Sequence, residues 1–155
     1  KWKKDFFGNT TKVYDKNSEI GKLINDSWSD SAVAEFNDEK YRFQKKDIFS
    51  NTTLISDTNK NKIIGKIIYD SWKTKANIQI NDNKYVWKSE SFWKSKWNLS
   101  DENGIIIDFE SKSSNGIINS TVQNNLLIFT GLYITNYYLM IFFFFLIILI
   151  PILMR

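Results

Sequence analysis

The stretch Ile20–Phe43, IGKLINDSWSDSAVAEFNDEKYRF, returns without gaps as Ile64–Trp87, IGKIIYDSWKTKANIQINDNKYVW, at an offset of 44 residues. Half of the 24 aligned positions are identical, among them Ile-Gly-Lys, Asp-Ser-Trp, Asn-Asp and Lys-Tyr. Upstream, Asn9-Thr10-Thr11 matches Asn51-Thr52-Thr53, and Asp-x-Asn occurs three times, at Asp15/Asn17, Asp57/Asn59 and Asp101/Asn103. A repeat of this period marks one supersecondary unit used more than once. Two clear copies and a fragment are too few for a propeller, which needs at least about four blades.

Within the repeat the periodicity is that of β structure. Ala32, Ala34 and Phe36 alternate with Val33 and Glu35, and Ala76, Ile78 and Ile80 alternate with Asn77 and Gln79. A period of two places the apolar set on one sheet face. Asn37-Asp38 and Asn81-Asp82 follow directly, and Asx residues tolerate the positive φ that hairpin turns demand. Tyr41/Phe43 and Tyr85/Trp87 then resume the alternation. The Asp-x-Asn sites read as further turns, the last closed by Gly104, and Asn115-Gly116 as another.

Working outward, about twelve short strands are expected. They centre near residues 2–7, 12–15, 21–28, 32–36, 40–44, 52–56, 63–69, 76–80, 85–88, 94–99, 105–109 and 116–122. A meander of that size leaves two unprotected edges unless it closes, so the reading is an all-β, closed antiparallel barrel. Twelve strands enclose more space than their own inward side chains fill. Something else must occupy the lumen.

The C-terminal segment offers that occupant. Residues 126–155 carry one charge, Arg155, and Tyr137–Leu153 is apolar almost without a break. Roughly 20 apolar helical residues cross the hydrocarbon core of a bilayer, so one reading is a membrane anchor with Tyr137 and Tyr138 at the interface. A helix that is apolar all round belongs either in lipid or in a protein core. We divide the segment: a central helix starts near residue 123 and Leu126–Tyr138 forms barrel core, making 1–138 one unit. Residues 139–155 form an apolar tail that contacts membrane or continues the helix, and Pro151 is expected to kink or end it.

Composition narrows the function. The 155 residues contain no Cys and no His, which excludes disulfides, thiolate nucleophiles, zinc fingers and Ser-His-Asp triads. Net charge is +4, and the lysines are scattered among acids rather than clustered as in a nucleic-acid-binding face. The chain opens on Lys1 rather than Met, as expected of a processed or truncated product. No enzyme activity, cofactor, metal site or nucleic-acid partner is expected. Asp57-x-Asn59-x-Asn61 resembles the start of a calcium loop, but Lys62 and Ile68 stand where that loop needs Gly and Glu.

Twelve antiparallel strands, Asp-x-Asn turns before aliphatic strands and a terminal hydrophobic helix together resemble the tubby C-terminal-like superfamily, which includes tubby proteins, phospholipid scramblases and LURP-one-related proteins. The likeness is one of pattern over nearly all of residues 1–140, so no family binding residue transfers. It implies a barrel threaded by its C-terminal helix and a non-catalytic binding or scaffolding role at a membrane, with phospholipid as the partner. The alternative is a tail-anchored protein whose β domain binds another protein.

Two constellations stand out. Asp26-Ser27-Trp28 and Asp70-Ser71-Trp72 read as duplicated strand ends, each with a turn-forming Asp and a packed indole. Around Trp87–Trp97, Lys88, Lys94 and Lys96 lie among aromatic residues; alternation buries Trp87, Trp93 and Trp97 and leaves the lysines outward. Lys88, Lys94 and Lys96 are therefore the candidate contacts for anionic lipid headgroups.

Overall fold

The computed structural model describes residues 1–5, 8–27, 29–72, 74–91 and 93–153. Twelve strands and one helix follow in chain order: β1 (Trp2–Lys4), β2 (Thr10–Asp15), β3 (Ser18–Asn25), β4 (Ala32–Phe36), β5 (Glu39–Lys45), β6 (Thr52–Asp57), β7 (Lys62–Tyr69), β8 (Lys75–Ile80), β9 (Asn83–Ser89), β10 (Lys96–Asp101), β11 (Gly104–Lys112), β12 (Asn115–Ser120) and α1 (Asn125–Leu153). Each strand pairs antiparallel with its neighbours in sequence, and β1 closes the barrel against β12 through Trp2↔Gly116 and Lys3↔Asn115. The expected all-β closed barrel of twelve strands around a C-terminal hydrophobic helix is what the chain forms.

Turn chemistry accounts for the meander. Asn37 and Asp38 both take positive φ, as a two-residue I′ hairpin requires. Asp57 Oδ1 accepts the N–H groups of Asn59 and Lys60, and Asp101 Oδ1 accepts that of Asn103. Gly104 sits at φ +127°, a region that side-chain-bearing residues avoid. Two residues before each Asp-x-Asn motif the ladder slips, at Val13/Tyr14, Ile55/Ser56 and Leu99/Ser100, leaving Ile20, Ile64 and Ile106 without a cross-strand partner. Such bulges sharpen strand twist and help a sheet curl shut.

The lumen is filled by helix. From Leu127 to Tyr138 every residue of α1 except Asn136 is buried. Small strand residues face large ones across the ladder, Ala32 opposite Phe43 and Ala76 opposite Trp87, which leaves room for the helix side chains. Phe129 stacks on Phe36 at 5.3 Å between ring centroids, Tyr133 on Phe43 at 4.6 Å, and Tyr137 on Tyr69 at 4.2 Å. These three aromatic residues are four apart, one turn each on a single helix stripe. Burying a side chain of this size stabilises by about 1.5–3 kcal/mol. The two buried threonines of the helix satisfy their hydroxyls within it: Thr130 donates to the Leu126 carbonyl and Thr135 to that of Gly131.

Several boundaries differ from expectation. β3 stops at Asn25 because the Asp26 N–H turns back to the Ser31 carbonyl. β1 is shorter than the expected 2–7, and Phe6, Phe7 and Trp28 lie outside the described residues. The helix starts at Asn125, two residues late, since Asn124 caps it by accepting the Leu127 N–H at 3.1 Å. Pro151 does not end the helix, which continues to Leu153.

Two outcomes follow. A Cβ on Gly131 would meet Phe109 Cζ at 2.8 Å, and Phe109 cannot yield because it stacks on Trp97 at 5.3 Å. Gly→Ala in an exposed helix stabilises by up to about 1 kcal/mol; Gly131→Ala should instead destabilise by about 1–3 kcal/mol, read as a lowered thermal midpoint. The second concerns Asp57. The Lys60 backbone N–H, outweighing the opposing effect of burial and helped by the Lys60 ammonium, holds its carboxyl below the usual range. That stabilisation is present above the unfolded value, near about 4, and is lost as pH falls through the depressed folded value. Asp57→Asn should therefore lower the urea midpoint at about pH 6 and leave it nearly unchanged at about pH 2.

Candidate functional site

Strand direction alternates around the barrel, so its connections divide into two ends. One end holds the tight turns 16–17, 37–38, 58–61, 81–82 and 102–103, together with the segment 121–124 that leads into the helix. The other holds the longer loops 5–9, 26–31, 46–51, 70–74 and 90–95, and the turn 113–114. The helix leaves through this second end. Tyr133 donates to the Asp30 carbonyl at 2.6 Å, Tyr138 donates to the Lys75 carbonyl at 2.6 Å, and Phe142 meets the Trp93 ring edge-on at 5.8 Å. Beyond Leu139 the helix is apolar and largely exposed, with Met140 and Phe143–Ile150 all open to solvent.

The candidate lysines lie at this rim, but not all as alternation places them. Lys88 on β9 is exposed and sits directly opposite Lys75 on β8. Two ammonium groups across a strand pair repel, a strain that an anionic partner would relieve. Lys96 is exposed at the start of β10 and pairs with Glu110 at 3.6 Å. Lys94 is not on a strand and does not point outward. It has φ 55° in the 90–95 loop, and its ammonium lies 5.9 Å from the Trp87 ring and 5.7 Å from the Tyr138 ring.

The reason is a local turn. Ser91 Oγ accepts the backbone N–H groups of Ser95 and Lys96, so the chain folds back and β10 begins two residues later than expected. Trp87 and Trp97 are buried as expected; Trp93, on the turn, is 69% exposed. Trp72 departs in the same way. Asp70 forms the turn, accepting from the Thr74 and Lys75 N–H groups, but the indole two residues on is 86% exposed rather than packed.

Trp72 and Trp93 flank a cleft of about 380 Å³ whose floor is the helix at Tyr138, Leu139, Phe142 and Phe143. Ile48 and Phe49, in the 46–51 loop, are 84% and 98% exposed. Sequence reading passed over both; the apolar pair between Asp47 and Ser50 was the available signal. On the same rim Lys45 pairs with Asp30 at 3.6 Å and lies 5.6 Å from the Tyr137 ring.

At the opposite end a cavity of about 830 Å³ opens around the start of the helix, lined by polar turn residues and by Tyr41, Tyr85 and Ile128. Among the described residues no group of three or more acidic side chains is placed to hold a metal ion. No protein-family model, curated protein or solved structure matches the chain.

The Tyr138 hydroxyl ties the emerging helix to β8. Tyr138→Phe should cost about 1 kcal/mol and lower the thermal midpoint by about 2–4 °C, while leaving the tilted ring contact with Trp87, 5.2 Å between centroids, in place.

Proposed function

We propose that this protein is a non-catalytic, membrane-associated binding module, tubby-like in architecture, that contacts phospholipid through the end of the barrel from which the helix emerges. The observation that carries this reading is the division of one continuous helix: buried from Leu127 to Tyr138 except at Asn136, and apolar and mostly solvent-exposed over Met140–Ile150. Exposed apolar patches of this extent mark an interaction surface. The whole helix, Asn125–Ile150, has the apolar length of a membrane span; with its first half held inside the barrel, the exposed part enters a bilayer from one side.

The free part, Met140–Leu153, reaches about 20 Å from the rim at about 1.5 Å per residue. Lys75 and Lys88, opposite each other on the outer face beside that rim, supply the positive charge for anionic headgroups, as does Lys96. Lys94 acts from inside, holding the 90–95 loop over Trp87 and Tyr138. Core and anchor are then the same element, so the barrel is fixed to the membrane without a flexible tether.

Flotation with vesicles of phosphatidylcholine and phosphatidylserine tests this. The intact chain should float with the vesicles. Deleting Met140–Arg155 should leave a soluble, folded barrel with weak, salt-sensitive binding to the anionic vesicles, and changing Lys75 and Lys88 to Ala should weaken that binding by about fivefold per lysine. An intact chain that stays in aqueous solution without detergent and ignores the vesicles overturns the reading.

A further inference from the structure

Between the barrel and the exposed part of the helix there is no polar spacer. Tyr138 is buried in the lumen and bonded to β8, Leu139 is half-buried, and Met140 is already exposed. A bilayer that takes up the helix from Met140 onward must therefore meet the rim loops themselves.

Those loops carry side chains suited to that position. Outside the helix, the exposed large apolar residues described by the structure are Ile48, Phe49, Trp72 and Trp93 on the rim loops, and Ile63, Ile105 and Ile117, which occupy single outward positions on strands. None is in a turn at the opposite end. Trp is the residue most typical of the headgroup boundary, and Phe, Ile and Leu enter the adjoining acyl layer.

The loops also present these residues on fixed backbones. Asp47 Oδ1 accepts the Phe49 N–H at 3.1 Å, Asp70 Oδ1 accepts those of Thr74 and Lys75, and Ser91 Oγ accepts those of Ser95 and Lys96. Each loop uses a polar side chain to hold a largely exposed apolar residue at the rim, Trp93 with its ring against the edge of Phe142.

We infer that Ile48, Phe49, Trp72 and Trp93, on three adjacent loops, form a partial interfacial ring that seats this side of the rim at the headgroup–acyl boundary of a lipid bilayer, with the barrel standing on the membrane beside its own emerging helix. This rests on the membrane reading above and adds a defined depth and orientation. Lys75 and Lys88, set just back from the ring on the outer wall, then lie level with the phosphates.

The chain has no cysteine, so single cysteines can carry a fluorophore at chosen sites of the intact protein. Phe49→Cys, Trp72→Cys, Trp93→Cys, Phe144→Cys and Asn103→Cys, each reconstituted into phosphatidylcholine–phosphatidylserine vesicles, would be read with quenchers placed shallow or deep in the lipid. The first three should lose fluorescence to the shallow quencher, Phe144→Cys to the deep one, and Asn103→Cys to neither. Quenching at 144 without quenching at 49, 72 and 93 overturns the ring and leaves the membrane reading standing. No quenching at 144 overturns both. If the rim probes are equally shielded in detergent alone, with size-exclusion showing a dimer, the ring is a contact between copies and the inference fails.

Discussion

The stacking of Phe129, Tyr133 and Tyr137 on Phe36, Phe43 and Tyr69 is the interaction on which this molecule depends. Twelve strands enclose a lumen too wide for their own side chains, and a barrel wall alone would surround a void or water. The helix supplies the missing volume, one aromatic per turn, against aromatics contributed by β4, β5 and β7. Aromatic pairs at this spacing add about 0.5–1.5 kcal/mol beyond their buried area. They also fix the helix in rotation and in height.

That height decides the rest of the surface. With Tyr133 bonded to Asp30 and Tyr138 to Lys75, the helix cannot slide along the barrel axis without breaking both bonds and the stacks between them. The border between buried and exposed helix therefore falls at a definite residue, level with the rim loops. One apolar segment is core below that border and surface above it. The two barrel ends differ: one carries tight Asx-rich turns around a cavity at the start of the helix, the other longer loops with exposed indoles and the emerging helix.

The barrel was largely legible because its signals are local. Alternation, Asn-Asp and Asp-x-Asn turns, and a lumen in need of filling each constrain a few residues at a time, and together they admit one topology. The candidate site was legible only where a strand ran through it. Lys88 and Lys96 lie outward as period two requires, and Trp87 and Trp97 inward. Lys94 and Trp93 exchanged their expected sides because Ser91 folds the backbone and delays the strand by two residues, and a hydroxyl's choice of partner leaves no periodic trace. Trp72, in a duplicated motif, resembled a packed indole; Ile48 and Phe49 showed only as an apolar pair between polar neighbours, without periodicity. A loop residue's exposure is set by what stands beside it in space.

From its sequence alone, then, this protein is a closed antiparallel barrel with an apolar C-terminal helix and without thiol or imidazole chemistry, since each follows from residue type and short-range order. Which end of the barrel the helix leaves by, and which aromatic residues gather around its exit, were decided only by the tertiary structure. Each depends on the height at which the helix is held in the lumen, and that is set by aromatic side chains of β4, β5 and β7 and by the Asp30 and Lys75 carbonyls, brought to the helix by closure of the sheet across as many as 103 residues of chain.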